Sequence, residues 1–160
     1  MEYNIVVRVD ERLIHGQVAL SWTSLLQITR IMVVDDEVAK DSFQLPLLKM
    51  ACPQGIKLSV LPVVDAAKNL LANKYTTDKI FLLVKRPETL IGLWDAGIHM
   101  SSVNIGNMSG RENAVLLKKD VCVTPENIET LKELNKRGVK LTARTVPSDP
   151  EVDLMNLINK

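Results

Sequence analysis

The sequence predicts an α/β fold: an open, mostly parallel sheet of about six to seven strands with helices on both faces. Three observations carry this. Short apolar runs recur, among them Ile5-Val6-Val7, Ile31-Met32-Val33-Val34 and Ile80-Phe81-Leu82-Leu83-Val84. Continuous runs of this kind suit strands buried on both faces. Between them lie segments whose apolar residues repeat at helical spacing. Strand and helix alternate along the chain, the order that gives parallel strands joined by crossover helices.

The first strand is expected at Tyr3 to Val9 and the first helix at Gly16 to Gln27, where Val18, Trp22, Leu25 and Leu26 form one apolar stripe. Ile31 to Val34 is a second strand ending in Asp35-Asp36. Those aspartates suit capping of the next helix, Glu37 to Ala51, which Pro46 should kink or divide. After the Pro53-Gln54-Gly55 turn, Ile56 to Leu61 reads as a third strand and Asp65 to Asn73 as a short helix. Lys79 to Val84 is the most apolar strand and is placed centrally. Arg86-Pro87 opens a helix that Gly97 ends.

Ser102 to Gly106 is a fifth strand, followed by a polar loop, Asn107 to Arg111. Ala114 to Val123 holds one or two short extended pieces. Thr124-Pro125 starts a helix with threonine as N-cap, Ile128, Leu131 and Leu134 on its buried side, and Gly138 at its stop. Val139 to Arg144 is a further strand. Asp149-Pro150 is expected to start a C-terminal helix carrying Val152, Met155 and Ile158.

The chain has 160 residues, 46% hydrophobic and 24% charged, values that favour a single domain with a full core. A formal charge of +1 argues against general nucleic-acid binding. No apolar run reaches membrane-spanning length and the N-terminus has no signal-peptide pattern, so a soluble, cytoplasmic chain is expected. Cys52 and Cys122 lack Cys-x-x-Cys spacing and read as reduced, small apolar residues. With His15 and His99 they form no metal-ligand cluster.

The chemistry-bearing residues concentrate in Arg8-Val9-Asp10-Glu11-Arg12-Leu13-Ile14-His15-Gly16-Gln17-Val18, between the first strand and the first helix. In open α/β sheets, ligands bind at the carboxyl ends of strands. A helix N-terminus there offers free backbone N–H groups and a positive dipole end, both suited to an anion. Neutral imidazole is a nucleophile near neutral pH and accepts a phosphoryl group as a covalent intermediate. Physical chemistry alone reads this stretch as an oxyanion or phosphate site with a titratable nucleophile, His15.

Arg12 is assigned to the phosphoryl oxygens, because guanidinium is planar, permanently charged and suited to bidentate contact. A surface salt bridge to Glu11 or Asp10 is its bland alternative. Asp10 orients Arg12, fixes the His15 tautomer, or simply stabilises the turn. Arg8, with Gly16 and Gln17, is expected among the phosphoryl contacts; its alternative is a place at the solvent end of the strand. Gly16 lets backbone approach a ligand, and Gln17 sits beside it at the helix start. Glu11 is taken as solvated. Asp35 and Asp36 would line the same crevice if the second strand lay beside the first; capping is the preferred reading. Asn107, Ser109 and Arg111 share that edge, as docking residues or as a solvated loop. His99 is read as structural, on the opposite edge, and Trp22 and Trp94 as core.

The run Arg-x-Asp-x-Arg-Leu-Ile-His-Gly-Gln-Val after a first strand resembles the signature of the IIB component of the mannose/fructose/sorbose family of the bacterial sugar phosphotransferase system. The resemblance extends along the whole chain and implies one IIB domain over residues 1–160, with a final strand departing from the parallel set. It implies that His15 is a transient phosphoryl carrier through its δ1 nitrogen. The donor would be a phosphorylated IIA component, and the acceptor a sugar entering through the membrane components IIC and IID. Membrane association would come only through those partners, and no cofactor is implied. Asp36-Glu37-Val38-Ala39, Asn104 to Met108 and Asp149 to Leu154 are similar to members associated with amino sugars such as N-acetylgalactosamine.

Two other functions compete. A histidine phosphatase also places arginine and His-Gly after a first strand, but there the two are adjacent and a second histidine acts. A receiver-like regulatory module would use Asp35 or Asp36 as an aspartyl-phosphate acceptor, and would leave the arginine–histidine turn without a purpose. A dinucleotide site is disfavoured because the first turn lacks Gly-x-Gly-x-x-Gly.

Overall fold

A computed structural model describes residues 4–160. Its elements in chain order are β1 (Ile5–Asp10), α1 (Gly16–Leu26), β2 (Arg30–Val34), α2 (Gln44–Ala51), β3 (Lys57–Leu61), α3 (Val63–Leu71), β4 (Ile80–Val84) and α4 (Glu88–Asp95). They continue with β5 (Ser102–Asn107), β6 (Val115–Lys118), β7 (Val121–Val123), α5 (Pro125–Lys136), β8 (Lys140–Ala143), β9 (Val152–Asp153) and α6 (Leu154–Ile158). The main sheet has seven strands in the order β3-β2-β4-β1-β5-β8-β9. Every pairing is parallel except β8 with β9, so the expected departure from the parallel set falls on the last strand. The extended pieces expected after the polar loop form a separate antiparallel hairpin, β6–β7.

Side chains alternate across this sheet. Val7 and Val9 of β1, with Ile80, Leu82 and Val84 of β4, face a core closed by α3, α4 and α5 through Ala66, Leu70, Leu90, Leu93, Leu131 and Leu134. Phe81 and Leu83 of β4 face the other way, toward Ala19 and Trp22 of α1 and Leu48 of α2. Right-handed crossovers require this division: the chain moves one way from β1 through β2 to β3, then returns past β1 to β8. Strand β1 is therefore central, flanked by β4 and β5, whose outgoing connections leave on the opposite face from its own. Its carboxyl end is the topological switch point, where open α/β sheets bind ligands.

Several expected boundaries shift for physical reasons. Tyr3 lies outside the described residues, and β1 runs one residue further, to Asp10. The stripe of α1 is rotated: Ala19, Trp22 and Thr23 are buried, while Leu25 is 60% exposed. Thr23 tolerates burial because its hydroxyl donates to the Ala19 carbonyl at 2.8 Å. The expected Glu37 to Ala51 helix is divided, but not by Pro46. A short 3-10 turn at Val38–Lys40 ends, Asp41 caps a new start by accepting from the Phe43 and Gln44 amides at 2.9 and 3.2 Å, and Pro46 falls in the first turn of α2. A missing N–H costs nothing there. The expected helix at Asp149-Pro150 begins only at Leu154, because Asp153, accepting from the Met155 amide at 2.9 Å, is the working cap. Asp149 instead closes a turn with Val146. Thr124 caps α5 as expected, in a reciprocal pair with Asn127.

Candidate functional site

The β1–α1 turn is shaped by two buried hydrophobic residues. The Leu13 amide donates to the Asp10 carbonyl at 2.9 Å and Leu13 adopts a left-handed φ of 59°. This directs Leu13 and Ile14, 4% and 6% exposed, into the α1 side of the core. With those side chains buried, Arg12, His15, Gly16 and Gln17 remain at the surface. His15 is the N-cap residue of α1, in extended conformation, and its side chain makes no capping bond. Gly16 follows at φ +30°, a backbone angle that favours glycine, with nothing within 4 Å of where a Cβ would stand. The first turn of α1 contains no acidic residue. Its first N–H groups and positive dipole end are thus free for an anion beside the imidazole.

Asp10 is the hub. It is 1% exposed, and its Oδ1 accepts from the Arg12 backbone amide at 2.9 Å and from Arg12 Nε at 3.1 Å. Oδ2 accepts from Arg12 Nη2 at 3.2 Å and from Arg8 Nη2 at 3.1 Å. Arg12 is thereby gripped at two points while its side chain stays one-third exposed. Of the alternatives for Asp10, the geometry shows two together: it orients Arg12 through a salt bridge, and it stabilises the turn through the Arg12 backbone amide.

Arg8 is not at the solvent end of its strand. It is 1% exposed, on the α1 side of the sheet, and its guanidinium also donates to Asn104 Oδ1, to the Arg144 carbonyl at 3.0 Å and to the Thr145 carbonyl at 2.9 Å. Burial lowers its affinity for the proton, and the Asp10 charge and hydrogen bond oppose that. Gly106 makes room for it, since a methyl group there would fall on the guanidinium. The sequence reading missed Asn104, Gly106 and the Arg144–Thr145 carbonyls. The detectable signal was a polar residue and a glycine in the middle of an apolar strand.

Other expected residues disperse. Asp35 accepts from the Glu37 and Val38 amides at 3.0 and 2.9 Å, as the capping reading required. Asp36 caps a different helix, accepting from Val63 at the start of α3 at 2.8 Å. Neither lies on a strand next to β1, because β4 is inserted between β2 and β1. Asn107 is register partner of Asp10 at a bulge, and its carbonyl accepts from the Glu11 amide at 3.1 Å. Arg111 pairs with Glu11, so Glu11 is not merely solvated. Ser109 is exposed with no bond to another described residue. His99 stacks on the half-buried Trp94, ring centroids 4.3 Å apart, just ahead of β5 and so at the opposite sheet edge. A depression of about 200 Å³ adjoins the loop, lined by Glu11, Arg12, Leu13, Ile14, Gln44, Leu47, Leu48 and Lys85.

Residues 4–160 match the family model described as PTS system sorbose subfamily IIB component. The chain belongs to this family. As a IIB component it is 34% identical over 155 residues to the sorbose-specific EIIB component of Klebsiella pneumoniae, covering 97% of this chain and 94% of that one. It is 37% identical over 155 residues to the mannose-specific EIIAB component of Escherichia coli K12, covering 97% of this chain but 48% of that protein. The chain thus spans about half the length of that mannose-specific relative. The crystal structure of the IIBSor domain of the Klebsiella pneumoniae sorbose permease superposes with a TM-score of 0.92 at 35% identity, covering 97% and 96% of the two chains. No described helix is long and apolar enough to cross a membrane.

Proposed function

We propose that His15 carries a phosphoryl group between a phosphorylated IIA component and a sugar delivered through IIC and IID. The supporting observation is the exposed His15 at the head of α1, three residues after an exposed Arg12 that Asp10 grips with both oxygens. The neutral imidazole attacks phosphorus in line, and the donor's P–N bond breaks with its electron pair returning to the donor ring. Charge on the three equatorial oxygens is met by Arg12 and by the α1 amides at Gly16 and Gln17. Arg8 acts through Asp10 rather than by touching the phosphoryl group. In the second step a sugar hydroxyl attacks phosphorus, its proton passes to a base of the membrane partner or to water, and the P–N bond to His15 breaks with its electron pair returning to the imidazole.

In this reading residues 1–160 form one IIB domain, working in the cytoplasm and meeting the membrane only through IIC and IID. The mannose-specific and sorbose-specific relatives, at 37% and 34% identity, lie too close together for either name to select the sugar. Sugar choice is assigned to the membrane partners. The test is reconstitution: membranes containing IIC and IID, a IIA component, the general phosphotransferase proteins and phosphoenolpyruvate. Sugar phosphate forms when the chain is added. With His15→Ala it does not.

A further inference from the structure

We propose that Trp22 is a positioning residue for phosphoryl transfer, setting the Arg12 guanidinium relative to His15; this rests on the functional reading above. His15 caps α1, and Trp22 lies two turns along the same helix. The indole Nε1–H donates to the Thr145 carbonyl at 3.0 Å. The same carbonyl accepts from Arg8 Nη2 at 2.9 Å, and that nitrogen also donates to Asp10 Oδ2 at 3.1 Å. Asp10 in turn grips Arg12. A chain of hydrogen bonds therefore joins the helix that bears the nucleophile to the arginine that meets the phosphoryl oxygens, by a route outside the loop connecting them.

The indole ring adds to this. The guanidinium carbons of Arg8 and Arg144 lie over it, 5.2 and 5.1 Å from its centroid. Cations placed there are held by the ring quadrupole. A side chain that only filled the core would need neither the N–H bond nor the two cations. Phe81, whose ring centroid lies 6.4 Å from that of Trp22, fills the same core without either. Displacements of about 1 Å in a reacting constellation cost up to about a hundredfold in rate, so loosening one link should cost about tenfold.

The test compares Trp22→Phe, which keeps an aromatic ring but removes the donor, with Phe81→Leu, which loosens the same core and leaves the donor. Phosphoryl transfer from a phosphorylated IIA component through the chain to sugar, in membranes containing IIC and IID, is followed over donor concentration, and the Arg12 Nε–H signal is followed by NMR. The expected result for Trp22→Phe is a roughly tenfold lower kcat, an unchanged KM and faster water exchange at Arg12 Nε–H. Phe81→Leu should lower Tm and leave all three in place. Equal loss of stability in the two variants, with kcat and the Arg12 signal unmoved in Trp22→Phe, overturns the proposal. A native chain that takes no phosphoryl group overturns the functional reading and the catalytic half of this one. The Arg12 signal then decides the positioning half, and no change in Trp22→Phe overturns that as well.

Discussion

Asp10 holds Arg12 with both carboxylate oxygens, Oδ1 to Nε at 3.1 Å and Oδ2 to Nη2 at 3.2 Å, while its own burial is nearly complete. An exposed arginine is ordinarily free to sample many rotamers. Here a buried anion, neutralised from behind by Arg8, fixes one of them. The arrangement spends a buried ion pair on orientation, which is the use of such pairs that makes physical sense when their net contribution to stability is small.

Asp10→Asn should remove the charge that compensates buried Arg8 and break the grip on Arg12. Leaving a buried cation unpaired costs about 3 kcal/mol or more. Urea denaturation should show that loss, and phosphoryl transfer to the folded fraction should fall at least ~tenfold.

Arg12→Lys keeps the charge and discards the planar fork. Labelling of His15 should slow by about ten- to a hundredfold. Because the side chain is partly exposed, stability should move by less than about 1 kcal/mol. Rapid-quench labelling and thermal melts separate the two effects.

Gly106→Ala places a methyl group where the Arg8 guanidinium lies. The backbone of β5 or the arginine must give way, at a cost of about 1–3 kcal/mol. Denaturant unfolding checks the cost, and the Arg8 Nη signals by NMR should move with it.

Asp78 joins strand ends away from the site, accepting from Arg30 Nε at 2.8 Å, Thr29 Oγ1 at 3.0 Å and Lys57 Nζ at 3.1 Å. Burial raises its pKa, but these bonds outweigh burial and the pKa ends below the ordinary carboxylate value. The unfolded chain, near 3.9 for aspartate, then binds the proton more readily than the native one. The contribution is present above pH ~4 and fades as pH falls through the lower native value. Asp78→Asn should cost about 1–2 kcal/mol at pH 7, and melts of the two proteins should begin to converge below pH ~4 and coincide only once pH has passed the lower native value.

Gln27 closes α1 in the left-handed region, φ 55° and ψ 45°. Glycine adopts that conformation without strain, so Gln27→Gly should stabilise the chain by about 0.5 kcal/mol, read as a rise in Tm.

The alternation of strands and helices was legible in the sequence because buried strands leave continuous apolar runs. The β1–α1 turn was legible because its arginines and histidine stand beside a glycine. Strand order was not: nothing local in Ile80 to Val84 says that it inserts between β1 and β2. Nor was the burial of Arg8, since its acceptors on Asn104, Arg144 and Thr145 lie about a hundred residues away or more. Asp149-Pro150 shows how capping residues mislead: both are good helix starters, and the chain uses them for a turn because the β8–β9 pairing comes first. Asp35 caps the turn that follows it, as read, but Asp36 does not: it serves α3, a helix that no sequence window could connect to it.

The central claim is that His15 carries the phosphoryl group, and intact-protein mass spectrometry tests it most directly. The native chain and His15→Ala are incubated with phosphoenolpyruvate, the general phosphotransferase proteins and a matching IIA component, then measured before and after mild acid. A single acid-labile phosphoryl group on the native chain and none on His15→Ala is the predicted result. A label that persists in His15→Ala, or one that survives the acid, would contradict it.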